Sequence, residues 1–141
     1  MSKLTLAQAN TLLAAALAAA RAAGHAPMAV VVLDEAGHLK AAQREDGASM
    51  FRIDIATGKA WASIAMGAAS RVLTQRAKDL PAFFGALAAT GGGKFIPQTG
   101  AVLIKQADGS VIGAVGASGG TGDEDEEICI AGIKAVGLEA G

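Results

Sequence analysis

The stretch Met28–Leu33, MAVVVL, constrains this chain most. Three successive valines are stiff at χ1 and favour strand over helix. A short apolar run without alternation reads as a buried strand. Pro27 keeps the preceding residues out of helix. DEAGH follows, with a glycine three residues beyond Asp34, and reads as a hairpin loop. Leu39–Arg44 then pairs back as the second strand. EDGAS is another turn.

Helices must cover such a sheet, and the sequence supplies them. Thr5 and Gln8 fit a capping box that opens an Ala-rich amphipathic helix. That helix should run to about Ala23, with Gly24 ending it and Leu6, Leu13 and Leu17 near one face. Ile53, Ala56, Ala60, Ile64 and Met66 fall at helical spacing between about Ser49 and Gly67. Ser70 stands where it can cap a helix over 71–78. Pro81 opens a short helix, PAFFGALAAT, which Gly91–Gly93 ends. Two strands are expected over 101–105 and 111–117, joined by ADGS, whose Asp-Gly is a strong hairpin signal. Residues 123–138 form the last helix. Short hairpin links make the sheet antiparallel. The fold class is therefore α+β, an antiparallel sheet flanked by helices. No linker or repeat divides the chain, so 1–141 reads as one domain.

Composition limits the functions. Hydrophobic residues are 52% and charged residues 18%, so the chain is globular and is expected to hide further surface in a homo-oligomer. A net charge of −1 leaves no basic footprint for nucleic acid. The longest apolar run, Leu12–Ala20, is too short for a bilayer, which needs about 20 apolar residues. A cytoplasmic protein without a membrane partner is expected. The single cysteine, Cys129, excludes an internal disulfide and reads as a small core residue.

The chemistry concentrates in GASGGTGDEDEEICIAGIKA, residues 116–135. Ser118, Gly119, Gly120, Thr121 and Gly122 can turn tightly and expose N–H groups at a helix start, where roughly half a positive charge collects. Such ends hold carboxylates and phosphates. Thr121 and Glu124 also fit a capping box. Asp123, Glu124 and Asp125 satisfy the same field without a ligand, so the acids read chiefly as caps. One glycine would suffice for the turn. Gly119 and Gly120 together read as close backbone approach, and with Gly91, Gly92 and Gly93 they are expected to line one cavity from two loops.

Glu124 and Glu127 lie three apart on one helix face and form a candidate metal pair. Hard cations take about six oxygens, so a solvated acidic face is the simpler alternative. Arg44 presents a planar fork that suits a carboxylate; a salt bridge to Asp46, Asp54 or another subunit is the alternative. Lys59 could serve as Arg44 does. Trp61 reads as core or interface. No Ser-His-Asp order, phosphate loop, CxxC or HExxH signature is present.

Taken in order, MAVVVLDEAGHLKAAQREDGA, SMFRIDIATGKAWASIAMG, GGG and GSVIGAVGASGGTGDEDEEICIAGIKA resemble one family. It is the HbpS-like or GlcG-like domains, also found at the C-terminus of PduO-type cobalamin adenosyltransferases. Arg44–Ala48, the helix IDIATGKA and the segment from Gly113 to Gly120 carry the match. One departure is GGGKFIPQTGAVLI, where Lys94 and Phe95 are inserted and Gln98-Thr99 replace an apolar strand start. The resemblance implies a profilin-like α/β sandwich with a single sheet, assembled as a homo-oligomer. It also implies a small-molecule ligand, with haem as the cofactor some members bind and help degrade. On that implication His25 or His38 would ligate iron, and Arg44 or Lys59 would meet the propionates. The rival expectation is an enzyme or accessory protein acting on a small carboxylic or hydroxylated metabolite between loops 91–93 and 118–122. There Asp46, Glu124 or a histidine would move a proton. A structural oligomer without a ligand is the third.

Overall fold

Side chains alternate across a strand, and β1, Ala29–Asp34, uses both of its faces. Val30 and Val32 join a core with Leu12, Leu13, Ile104, Val115, Ile128 and Ile133. Val31 and Leu33 join the opposite core with Ala56, Ala60, Leu103 and Ala114. The apolar run is thus continuous because neither face is wet. The computed structural model describes residues 3–141; Met1 and Ser2, at the start of the expected 1–141 domain, lie outside the described residues.

The element order is α1 (Leu6–Ala23), β1, β2 (Leu39–Arg44), α2 (Phe51–Met66), α3 (Ser70–Asp79), α4 (Pro81–Thr90), β3 (Ala101–Lys105), β4 (Val111–Ser118), α5 (Gly122–Ala135) and β5 (Glu139–Ala140). The strands form one antiparallel sheet in the order β2-β1-β4-β3-β5. Helices α1 and α5 cover one face and α2 the other, with Leu73 of α3 and Phe84 of α4 in a third cluster beside α2. This is the expected α+β class. Helix α2 sits close to the sheet because β4 has glycine beneath it: a Cβ on Gly116 would overlap the Ala56 carbonyl and lie 3.2 Å from the Ala60 Cβ.

Three local readings change. The buried stripe of α1 is Ala9, Leu12, Leu13, Ala16 and Ala20, while Leu6 is exposed. Small alanines let α1 and α5 approach, so they take the inner face: a Cβ on Gly132 of α5 would meet the Leu12 carbonyl at 2.6 Å. Ser70 does not cap α3. Its hydroxyl accepts from the Ala101 N–H at 2.8 Å and donates to the Ala101 carbonyl at 3.2 Å, tying α3 to the start of β3. Helix α5 ends at Ala135, short of 138, because Gly137 turns the chain at φ 73° into β5.

Candidate functional site

The loop that follows β4 was expected to offer free N–H groups and an open glycine wall. Gly119, at φ 148°, approaches protein: a Cβ there would overlap the Pro27 carbonyl and lie 3.0 Å from the Met28 Cα. Three of the N–H groups are also taken. Gly120 N–H donates to Asp125 Oδ1 at 3.0 Å and Thr121 N–H to Glu124 Oε1 at 2.9 Å. Glu124 N–H donates to the Thr121 hydroxyl at 3.2 Å, completing the capping box. The α5 end therefore satisfies itself, and its close glycine contact is with the segment leading into β1.

Asp125 is not an exposed cap. It repeats with Ile128, Cys129, Gly132 and Ile133 on the buried stripe of α5. Lys59, on the sheet-facing side of α2, meets it: Nζ lies 3.0 Å from Asp125 Oδ2 and donates to the Ala117 carbonyl at 3.1 Å. Both are buried. Burial pushes the Asp125 carboxyl up, against the Lys59 ammonium, the Gly120 N–H and the nearby Arg52 guanidinium, which pull it down. The Cys129 thiol, one turn on, is pushed far up by the same burial. It is a core residue rather than a nucleophile.

Above this pair lies a cleft of about 440 Å³. Arg52, Ile55 and Lys59 of α2 form one side, Gln98 and Thr99 another, and Ser118 and 120–123 the third. The Gly91–Gly93 loop does not share it. Gly93 lines a different cavity with Phe51, Asp54 and Trp61. Gly91 is held against Trp61 and Phe95, whereas Gly92 and Gly93 take positive φ with open space around them. The segment 94–99 delivers Gln98 and Thr99 where the triple glycine was expected.

The histidines part company. His25, between α1 and β1, has its side chain 12% exposed, with Nδ1 3.1 Å from Glu124 Oε2. Its Nε2 is buried with no hydrogen-bond partner among the described residues. Arg21 fixes the local backbone by donating to the His25 carbonyl at 2.7 Å and the Ala26 carbonyl at 2.9 Å. His38 is exposed in the β1–β2 hairpin, at the opposite end of six-residue β1, roughly 20 Å away at ~3.3 Å per residue. Arg44 donates to the Ala48 carbonyl at 2.6 Å. With Arg21, Pro27 and exposed Asp46 it lines a cavity of about 460 Å³ beside the α1 C-terminus.

The model for the haem degrading protein HbpS-like family matches residues 4–134. The chain belongs to the HbpS-like family. A solved PduOC:haem complex is 27% identical, with a TM-score of 0.87 over 97% of both chains. A doubly substituted HbpS from Streptomyces reticuli is 27% identical, with a TM-score of 0.81 over 95% of this chain and 87% of that one. The ORFY protein of Klebsiella pneumoniae is 26% identical, with a TM-score of 0.87 over 97% and 93%. Among curated proteins none has a matching sequence.

In this HbpS-like chain the expected site residues fall into groups. His25, Gly120, Thr121 and Glu124 meet at the α5 start. Lys59 and Ser118 line the neighbouring cleft. Arg44 and Asp46 share the cavity at the α1 end. Glu127 is exposed while Glu124 serves His25 and Thr121. Among the described residues no three His, Cys, Asp or Glu side chains are grouped to hold a metal ion. No helix among them is long and apolar enough to cross a membrane. Asp125 and Arg52, like Ile55, Gln98 and Thr99, are cleft residues the sequence reading left without a site role. The helical periodicity of 125, 128, 129, 132 and 133 is the signal that could have found Asp125.

Proposed function

We propose that this chain binds haem, or a closely related anionic ligand, as a cytoplasmic homo-oligomer that assists haem degradation, with His25 as the iron ligand. Family membership and the haem complex of the PduOC relative support the ligand class. The observation that carries the residue is His25 itself. Its Nδ1 lies 3.1 Å from the Glu124 carboxylate, and with the Nδ1 proton directed there Nε2 would keep a lone pair for iron. That nitrogen has no protein partner. A carboxylate behind an imidazole is the usual support of a metal-ligating histidine. An orphaned buried acceptor costs ~1–3 kcal/mol, and iron would satisfy it. Bound haem would supply the redox-active iron, and His25 would hold it through Nε2. Arg44 is the propionate partner on this reading, since Lys59 is engaged by Asp125. Exposed Met50, Phe51 and Phe83 offer apolar surface for subunit contact.

Haemin titration followed by the Soret band tests this. Wild type should bind saturably, His25→Ala should lose the band shift, and His38→Ala should keep it. Glu124→Gln should weaken binding by roughly 10- to 100-fold, as loss of outer-shell support does. An unchanged titration in His25→Ala would overturn the assignment.

A further inference from the structure

We infer that the cleft above the Lys59–Asp125 pair is a second binding site, for a small free carboxylate, with Arg52 as its anchor. The charges around the cleft lead there. Asp125 is answered by Lys59 at 3.0 Å, and Asp123 is answered by Arg71. Arg52 lines the same cleft and, among the described residues, has no carboxylate within 4.0 Å. Its only side-chain hydrogen bond is a long one, 3.4 Å, to the Ser118 hydroxyl. The cleft is left with a positive charge, on a half-buried side chain, that acts on Asp125 only through space and pairs directly with no carboxylate among the described residues.

The neighbouring donors extend the argument. An ammonium has three N–H groups, and Lys59 spends two on Ala117 and Asp125. The third remains beside the cleft. The Gln98 amide faces the cleft with no side-chain partner among the described residues. At the α5 start the Gly120, Thr121 and Glu124 N–H groups already have acceptors. A planar carboxylate pairs bidentately with a guanidinium. Ile55 supplies an apolar wall for a short carbon body, and Gln98 or Thr121 a partner for a hydroxyl. The ligand class is thus a small monocarboxylate, with or without a hydroxyl.

The same carboxylate chemistry could come from a haem propionate, so the test separates the sources. Acetate, lactate and benzoate would be titrated calorimetrically into wild type, Arg52→Gln, Arg52→Lys and His25→Ala, with lactamide as the uncharged control. Haemin titrations would run on the same variants. We expect saturable binding of at least one acid and none of lactamide. Arg52→Gln should weaken that binding at least tenfold, Arg52→Lys should keep part of it, and His25→Ala should leave it intact. The haemin Soret titration should be unchanged in Arg52→Gln. Failure of all three acids, or equal binding in Arg52→Gln, would overturn the site. Weakened haemin binding in Arg52→Gln without acid binding would also overturn it, assigning Arg52 to a propionate. Survival of acid binding in His25→Ala keeps this site separate from the fate of the haem reading.

Discussion

Helix α5 begins with two ion-pair systems that share one acidic run and differ in setting. On its inner side Asp125 meets Lys59, with side chains 2% and 7% exposed. On its outer side Arg71, 54% exposed, meets Asp123 and Glu126. Five acids in succession look alike as a string, yet a 100° step per residue sends them to different solvents. Inside, attraction is strong and the desolvation it must offset is also large. Outside, water and salt screen the attraction. The buried pair therefore ties α2 to α5 and shapes the cleft floor, whereas the surface pair decorates the helix start.

The sharpest way to break this contrast is Lys59→Met. It leaves a buried carboxylate without its cation, a change that typically costs about 3–5 kcal/mol. Urea unfolding at neutral pH should show that loss. Replacing both partners, Lys59→Met with Asp125→Leu, should recover most of it, because an apolar pair of similar volume is often neutral. A single-variant loss below about 1 kcal/mol, the level of an exposed pair, would mean the pair behaves as if solvated.

Much of the fold was legible because its signals are local. MAVVVL announced an interior strand, both capping boxes stand where Thr-x-x-Gln and Thr-x-x-Glu occur, and β2, β3 and α4 begin and end as read. Signals failed where tertiary contact decides. Alanine carries little periodic information, so the buried Ala9–Ala16–Ala20 stripe of α1 was outvoted by leucines, of which Leu6 is exposed. The Ser70 hydroxyl chose β3 over its own helix. Lys59 and Asp125 lie 66 residues apart, and no local pattern joins them. The cavity wall at 98–99 likewise depends on where the loop before β3 travels, and two glycine loops in sequence gave no warning that they line different spaces.

The next effect concerns the cap. Thr121→Ala removes the acceptor for the Glu124 N–H and should cost about 1 kcal/mol. Because Glu124 also orients His25, the same variant should loosen haemin binding less than Glu124→Gln does, as judged by paired Soret titrations. Equal losses would mean that helix fraying, rather than the carboxylate, governs His25.

Asp125→Asn leaves the buried Lys59 ammonium without its carboxylate, and the pH dependence of that variant carries separate information. Burial raises the Asp125 carboxyl above its ordinary value of 3.8. A folded value above the unfolded one gives stability that is present below 3.8 and lost as pH rises through the raised value. The neutral amide lacks that loss, so the variant should gain on wild type between pH 4 and neutrality. Asp34 has the opposite sign: burial opposes, but the His38 and Ala36 N–H groups pull it down. Its contribution is present above 3.8 and lost as pH falls. Subtracting Asp125→Asn from wild type isolates the buried carboxyl from such surface acids. If wild type gains on the variant as pH rises, the Lys59 ammonium outweighs burial.

Smallest of all should be Arg71→Gln. Its guanidinium donates to Glu126 at 3.1 and 3.2 Å and to Asp123; the Glu126 side chain is sheltered at 15% exposed, but the guanidinium is 54% and Asp123 79% exposed. Ordering a long side chain offsets most of the gain, and salt removes more. The unfolding midpoint at physiological salt should not move measurably, and a small decrease should emerge only at low ionic strength. A decrease matching Thr121→Ala, and insensitive to salt, would place Arg71 in a desolvated network. The outer pair would then belong with the inner one, and the division of the acidic run by helix face would fail. The absence of a shift would support the view that burial, rather than acid content, decides which of these carboxylates the fold depends on.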